Sequence, residues 1–248
     1  MKPAQIEQLG AVENAALFFD VDGTLAPIAA SPDGVVIDAA MLETLNTLAA
    51  RLNGALAIIT GRPLKQCDPL FTPRLFAMAA EHGAIIRNVQ GSTTGPLAHR
   101  VDVESMHHHA QRELGKTPGV LVEKKQAGIA LHYRAAPIFK EKVYQTAKNI
   151  SAQHTGIVIL HGKMVVELKS GDVNKGAALQ TLLAEPEFEG RRPIYFGDDV
   201  TDESAFAMAQ ALGGTGIKIG TEQSCAQLFL SKQSDLQPFL RQWHSSRD

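Results

Sequence analysis

The sequence predicts an α/β fold in which a parallel-sheet core is interrupted by a small α+β insert. Three observations carry that prediction. Short apolar runs without alternation recur early in the chain, separated by stretches of helical periodicity, as in a sheet covered on both faces. A middle segment alternates apolar and polar residues instead, as strands with one wet face do. After Ser170-Gly171 the first style returns.

Taken in order, Ala15–Phe19 reads as a buried strand that ends abruptly at Asp20. A helix follows from an Asp38 N-cap, with Met41, Leu42, Leu45, Leu48, Ala49 and Leu52 on one face and Gly54 closing it. Ala55–Ile59 and Leu75–Ala80 are two further strands, the first ending at Thr60-Gly61-Arg62. Val101–Leu114 reads as a helix, and Val120–Lys124 and Ile129–Arg134 as strands joined by a turn near Gln126 to Gly128. Phe139–His154 is a second helix; Ile157–Leu160 and Met164–Leu168 are strands joined through His161-Gly162-Lys163. Helix, strand, strand, twice over, builds a small antiparallel sheet with two helices on one face. Asn174 or a near neighbour caps a helix running to Leu183, and Ile194–Phe196 and Ile217–Ile219 are strands on either side of a helix over Asp202–Leu212. The core is thus discontinuous, residues 1–98 and 170–248, with residues 99–169 inserted.

Composition narrows the class. Among 248 residues, Lys+Arg total 24 against 26 for Asp+Glu, a net charge of −2, without the basic surplus of a nucleic-acid binder. The longest unbroken apolar run, Leu75–Ala80, is far short of a membrane span, and MKPAQIEQLGAVENAA has no apolar signal core. Two cysteines far apart, Cys67 and Cys225, fit a reduced, cytoplasmic setting. The oligomeric state is left open, a monomer being compatible with the sequence.

The chemistry sits at strand ends. Asp20-Val21-Asp22-Gly23-Thr24, Thr60-Gly61-Arg62 and Gly197-Asp198-Asp199 each follow a core strand, and Lys175-Gly176 opens the helix after the insert. In an open parallel sheet, ligands bind outside the carboxyl ends of the strands, so these four sets converge on one crevice. Asp20, Asp22, Asp198 and Asp199 offer hard oxygen ligands for a cation such as Mg²⁺. Thr60 and Lys175 offer donors to a phosphate. Cation, donors and a carboxylate nucleophile make a phosphoryl-transfer site, with Asp20 forming a covalent intermediate and Asp22 moving protons. Each item alone has a bland alternative: Asp-Gly-Thr is a common turn, Asp198-Asp199 could cap the next helix, and Lys175 could be a surface lysine.

DVDGT, ITGR, the NKG lysine and GDDVTDE, in this order and spacing, resemble the four signature motifs of the haloacid dehalogenase (HAD) superfamily. The resemblance implies a Rossmann-like parallel sheet HAD core, with the insert in the place of a type-2 cap. It also implies that Asp20 is the nucleophile, Asp22 the acid/base, and Thr60 and Lys175 the phosphate holders. Asp20, the main-chain carbonyl of Asp22, and Asp198 would bind Mg²⁺, with Asp199 or Asp202 in support. ALHYR (Ala130–Arg134), MVVELK (Met164–Lys169), GDDVTDE (Gly197–Glu203) and Ala80-Glu81-His82-Gly83-Ala84 further resemble trehalose-6-phosphate phosphatases. That likeness implies hydrolysis of a sugar phosphate, with Glu123, Lys125 and Glu167 contacting the glucose unit remote from the phosphate. Gly61 and Arg62 belong with the substrate loop, and His132 and Arg134 either bind substrate or anchor the cap. The insert is expected to act as a lid, with hinges near residues 97–101 and 168–172. Sucrose phosphate, a mannosyl phosphate, or phosphomutase chemistry are the alternatives.

Other features carry less. His107-His108-His109 on a helix point in different directions and cannot all ligate one ion. Gly213-Gly214-Thr215-Gly216 follows a helix and precedes a strand, the reverse of a dinucleotide loop, and reads as a helix end. Trp243 reads as a C-terminal packing anchor.

Overall fold

The computed structural model describes residues 9–29, 34–94, 102–125, 127–162 and 164–245. These divide into two units, one of residues 1–94 and 174–248 and one of residues 95–173. The first is a Rossmann-like parallel-sheet core and the second an α+β insert.

In the core, β1 (Ala15–Phe19), β2 (Leu56–Ile59) and β3 (Ala77–Ala80) are buried at every position, which is why their sequences lack alternation. Arg192–Gly197, Thr215–Ile219 and Leu228–Leu230 complete the parallel part; numbering the insert's strands first, these are β10, β11 and β12. The order is β12-β11-β10-β1-β2-β3, extended by two short antiparallel strands, β4 (Ile85–Arg87) and β5 (Thr93–Thr94). The chain leaves β1 toward β2 on one side and returns to β10 on the other. A crevice therefore opens at the carboxyl ends of β1 and β10.

Helix α1 (Ala39–Arg51) starts where Asp38 accepts a hydrogen bond from the Ala40 N–H at 2.7 Å, and it buries Met41, Leu45, Leu48 and Ala49. Helix α2 (Leu64–Phe71), not foreseen in the sequence, buries only Cys67 and Phe71 and contains Pro69, so its apolar period is too weak to read. Numbering the insert's two helices α3 and α4, the core continues with α5 (Lys175–Leu183), capped by the Asn174 side chain, then α6 (Glu203–Ala211) and α7 (Leu236–Ser245). A 3-10 turn over Val200–Asp202 precedes α6, so the helix begins one residue later than the sequence suggests. The Gly214 N–H closes the end of α6 on the Ala209 carbonyl, as the glycine run suggested. Trp243 is buried, lies over Phe239, and donates from its indole to the Gly10 carbonyl at 3.0 Å.

In the insert, β6 (Leu121–Lys124), β7 (Gly128–His132), β8 (Ile157–Gly162) and β9 (Val165–Ser170) form an antiparallel sheet ordered β6-β7-β9-β8. Helices α3 (Val103–Leu114) and α4 (Lys140–Gln153) bury Met106, Leu114, Val143 and Ile150 in one cluster with Val122, Ile129, Leu131, Val166 and Leu168 of the sheet. The alternation in the sequence is this division between a helix-covered face and a polar one. Gln126 and Lys163, in the two expected turns, and the expected hinge at 97–101 lie outside the described residues. At the other expected hinge, the Gly171 N–H donates to the Gly156 carbonyl.

Among the glycines of the insert's strands, Gly128 leaves the least room: a methyl there would sit 2.0 Å from the Leu168 carbonyl oxygen. Gly128→Ala should therefore cost about 1–3 kcal/mol of stability through strand displacement, measured by urea unfolding.

Candidate active site

Asp20 follows β1 and Asp198 follows β10, neighbouring parallel strands, so chain direction alone brings both to one crevice. The turn after Asp20 closes through the Thr24 and Ala26 N–H groups, both donating to the Val21 carbonyl. Gly23 in that turn has φ +82°, and a methyl there would lie 2.0 Å from Asp198 Oδ2. Only glycine meets both demands, which explains the Gly of the DVDGT segment. The Thr24 hydroxyl donates to Asp198 Oδ1 at 3.3 Å.

Lys175, the first residue of α5, is buried at 2% exposure and is no surface lysine. Its ammonium lies 2.8 Å from Asp20 Oδ1 and 2.6 Å from Asp202 Oδ1. Asp202 is fully buried. Its Oδ1 also accepts from the Tyr195 hydroxyl at 2.5 Å, and its Oδ2 accepts from the N–H groups of Asp198 and Asp199, each at 2.9 Å. Two donors on each oxygen use the carboxylate's acceptor capacity in full.

Burial and two like-charged neighbours, Asp202 and Asp198, push the Asp20 carboxyl up to about 8 against the pull of Lys175. Burial and Asp202 likewise push Asp198 up to about 7. Burial opposes the charge of Lys175, but Asp20 and Asp202 outweigh it and hold the ammonium above the usual lysine range. Asp202 goes the other way: against the cost of burial, Lys175, Tyr195 and the backbone hold its pKa down.

A divalent cation fits this chemistry. Asp20, Asp198 and Asp202 bring carboxylate oxygens within 4.8 Å of one another, a hard all-oxygen set in which burial and like charge penalise ionisation. With Asp202 saturated by four donors, Asp20 and Asp198 are the carboxylates with capacity for the ion. Asp199, named with them in the sequence, turns its carboxylate to the Val200 N–H at 2.7 Å and caps the 3-10 turn. Asp202 and Tyr195 are what sequence reasoning undervalued. The spacing of GDDVTDE contained the first; a tyrosine inside an apolar strand gave no signal for the second.

Thr60 follows β2, is 1% exposed, and accepts from the Arg62 N–H at 3.2 Å. The Thr60 N–H donates to the Ala79 carbonyl, and the His82 N–H to the Thr60 carbonyl, fixing the loop against β3. Gly61 leaves the space that the His82 imidazole fills: a methyl there would lie 2.7 Å from its Nε2. The Arg62 guanidinium grips both oxygens of Asp22, Nε to Oδ2 at 2.6 Å and Nη2 to Oδ1 at 2.7 Å. In the core, then, Asp20, Lys175 and Asp198 are drawn together through Asp202, and Asp22 is joined to the Thr60-Gly61-Arg62 loop.

The five remaining predicted residues lie in the insert. Glu123, Ala130 and Glu167 are cross-strand partners on β6, β7 and β9, on the face away from the helices. Lys125 donates to Glu167 at 2.8 Å, and His132 pairs with Glu123 at 2.8 Å. The His132 hydrogen bond holds the Glu123 carboxyl below its usual range. Ala130, small and fully buried, leaves room for a charged side chain on each flanking strand. Arg134 follows β7, beyond this row.

Residues 18–235 match the family model described as trehalose-phosphatase. The chain belongs to the trehalose-phosphatase family. Within that family it is similar to a probable trehalose-phosphate phosphatase of Sinorhizobium fredii, 40% identical over 84% of this chain and 79% of the relative. It is also similar to the trehalose-6-phosphate phosphatase of Escherichia coli K12, 38% identical over 91% of this chain and 85% of the relative. Among solved structures, the C-terminal domain of a C. albicans trehalose-6-phosphate phosphatase superposes with a TM-score of 0.81 at 20% identity, covering 98% of this chain and 96% of that one. A haloacid dehalogenase-like hydrolase from B. subtilis superposes with a TM-score of 0.62 at 15% identity, covering 93% and 99%. At these identities the structural likeness is one of fold, and the fold is that of the HAD core. No helix of the described residues is long and apolar enough to cross a membrane.

Replacing Asp202 with Asn should remove a charge partner from buried Lys175 and misdirect the Asp198-Asp199 N–H groups. The expected loss is about 3–5 kcal/mol of folding stability, read from a urea transition in the metal-free protein.

Proposed function

We propose that this chain is a Mg²⁺-dependent phosphatase that hydrolyses trehalose 6-phosphate to trehalose and phosphate through a phosphoaspartyl intermediate on Asp20. The observation that carries the reading is the buried ammonium of Lys175 between Asp20 and Asp202, beside Asp198, in a member of the trehalose-phosphatase family. The site residues read from the sequence supply a role for each part of the reaction.

Asp20 supplies the oxygen that attacks phosphorus, and the phosphorus–sugar-oxygen bond breaks as the new bond forms. Lys175 and the Thr60 hydroxyl hold the phosphoryl oxygens, two ammonium N–H groups already being spent on Asp20 and Asp202 and the third remaining for phosphate. Asp22 gives its proton to the leaving sugar oxygen. It then takes a proton from the water that opens the phosphoaspartyl bond. Arg62 places one donor on each Asp22 oxygen, which orients the carboxyl and leaves an acceptor position on each for that proton. Asp20, Asp198 and the Asp22 main-chain carbonyl would hold the Mg²⁺, which would offset the charge of the phosphoryl oxygens.

In the insert, Glu123, Lys125 and Glu167 bind the hydroxyls of the glucose unit remote from the phosphate. Carboxylates that accept and an ammonium that donates suit a sugar, and a strand surface holds them rigidly. His132 orients Glu123 through their hydrogen bond.

Phosphate release measured over trehalose 6-phosphate, sucrose phosphate, a mannosyl phosphate and an aryl phosphate, with Mg²⁺ and then with a chelator, tests the reading. Trehalose 6-phosphate should be turned over fastest, and the chelator should stop it. Free phosphate, and no isomeric sugar phosphate, should be the product. Asp20→Asn should fold and lose turnover on every substrate; retained hydrolysis in that variant rejects the nucleophile. Glu167→Ala should lower kcat/KM for trehalose 6-phosphate by about tenfold or more, the cost of unpairing one charged hydrogen bond. It should leave the aryl phosphate nearly unchanged, and an equal loss on both would reject a sugar-reading insert.

A further inference from the structure

Lys218 lies on β11 beside β10, its Cα paired with that of Gly197, and it is 4% exposed. Gly216 and Lys218 share one face of the strand, while Ile217 and Ile219 join the hydrophobic cluster. Helix α6 lies over that first face, where Phe206 approaches Gly216 closely enough that a methyl on the glycine would meet it at 2.8 Å. The lysine is buried near Glu203, which opens that helix and offers it an opposite charge. A buried ammonium needs acceptors around it, so a purely space-filling role would be met better by methionine or leucine.

The ammonium donates to the main-chain carbonyl of Asp198. The neighbouring groups of that turn are also engaged. The N–H groups of Asp198 and Asp199 point to Asp202, and the Asp199 carboxylate caps Val200. With the peptide held on both sides, the Asp198 carboxylate is left toward Thr24 and Asp20.

We propose that Lys218 is a positioning residue for cation binding: by fixing the Asp198 carbonyl it sets the direction of the Asp198 carboxylate. This rests on the reading of Asp20 and Asp198 as Mg²⁺ ligands. Positioning and charge predict opposite results. A lysine acting only through its charge repels a cation, so its removal would tighten Mg²⁺ binding. A lysine that aims a ligand strengthens binding, so its removal weakens it.

The experiment titrates Mg²⁺ calorimetrically into metal-free wild type, Lys218→Met and Lys218→Arg, and records the Tm of each metal-free protein and kcat and KM with the sugar phosphate. Lys218→Met keeps the stem and removes the donor. It should weaken Mg²⁺ binding by about 10–100-fold, the usual cost of losing a group that orients a ligand. Its kcat at fixed Mg²⁺ should fall with little change in KM, and Lys218→Arg should recover part of the affinity. If Lys218→Met does not fold, Lys218→Gln, with a shorter donor, takes its place under the same criteria. Unchanged or tighter Mg²⁺ binding in a folded variant overturns the proposal, as does a fall in Tm without a change in affinity. A wild type that binds no Mg²⁺ overturns the metal reading itself, which separates the two failures.

Discussion

Four hydrogen bonds converge on the buried carboxylate of Asp202, and the polar centre of the core hangs on them. One oxygen takes Lys175 and Tyr195, the other the N–H groups of Asp198 and Asp199. A buried carboxylate is tolerated only when its acceptors are filled, and here no acceptor position is left over. Through Lys175 the network reaches Asp20 at the end of β1; through the backbone it shapes the turn at the end of β10. A strand end, a helix start and a turn are thereby registered to one another by a side chain that touches none of the solvent.

The core was legible because its strands obey one rule. A strand buried on both faces shows no alternation, and its first polar residue marks the end where ligands bind. Asp20, Thr60 and Gly197-Asp198 stood out on that ground, and Lys175 on its place at the opening of a helix. Which of several adjacent carboxylates turns inward was not legible. Asp199 and Asp202 are both acidic and both near a helix start, and the 3-10 turn between them decides: it sends the first to cap Val200 and the second into the core. Strands β4 and β5 escaped notice because three and two residues show no period. Tyr195 escaped because a hydroxyl at the end of an aromatic ring does not disturb an apolar pattern.

The insert shows the complementary case. Its alternation gave away a sheet with one polar face, and the cross-strand register places Glu123, Ala130 and Glu167 in a row. The pairing of the charges could not be read from the sequence. Lys125 and Glu167 are 42 positions apart, and only the order β6-β7-β9 brings them within a hydrogen bond. The two hydrogen-bonded pairs, Lys125–Glu167 and His132–Glu123, share one face without a central large residue, because Ala130 occupies the position between them.

The strand order also has a consequence for synthesis. The insert is one continuous stretch of chain in which β6-β7 and β8-β9 pair as sequence neighbours and only β7-β9 reaches across some 40 residues, so all its contacts are available as soon as it is made. The core's middle strand, β1, precedes the insert in the chain, yet its partner β10 comes some 175 residues later. Until then β1 has an unpaired backbone edge between apolar faces, the kind of surface that aggregates or recruits chaperones. The polar centre shares that delay, since Asp20 meets Lys175 and Asp198 only when both halves of the core exist. A nascent chain can thus hold a finished insert while it still has no active centre.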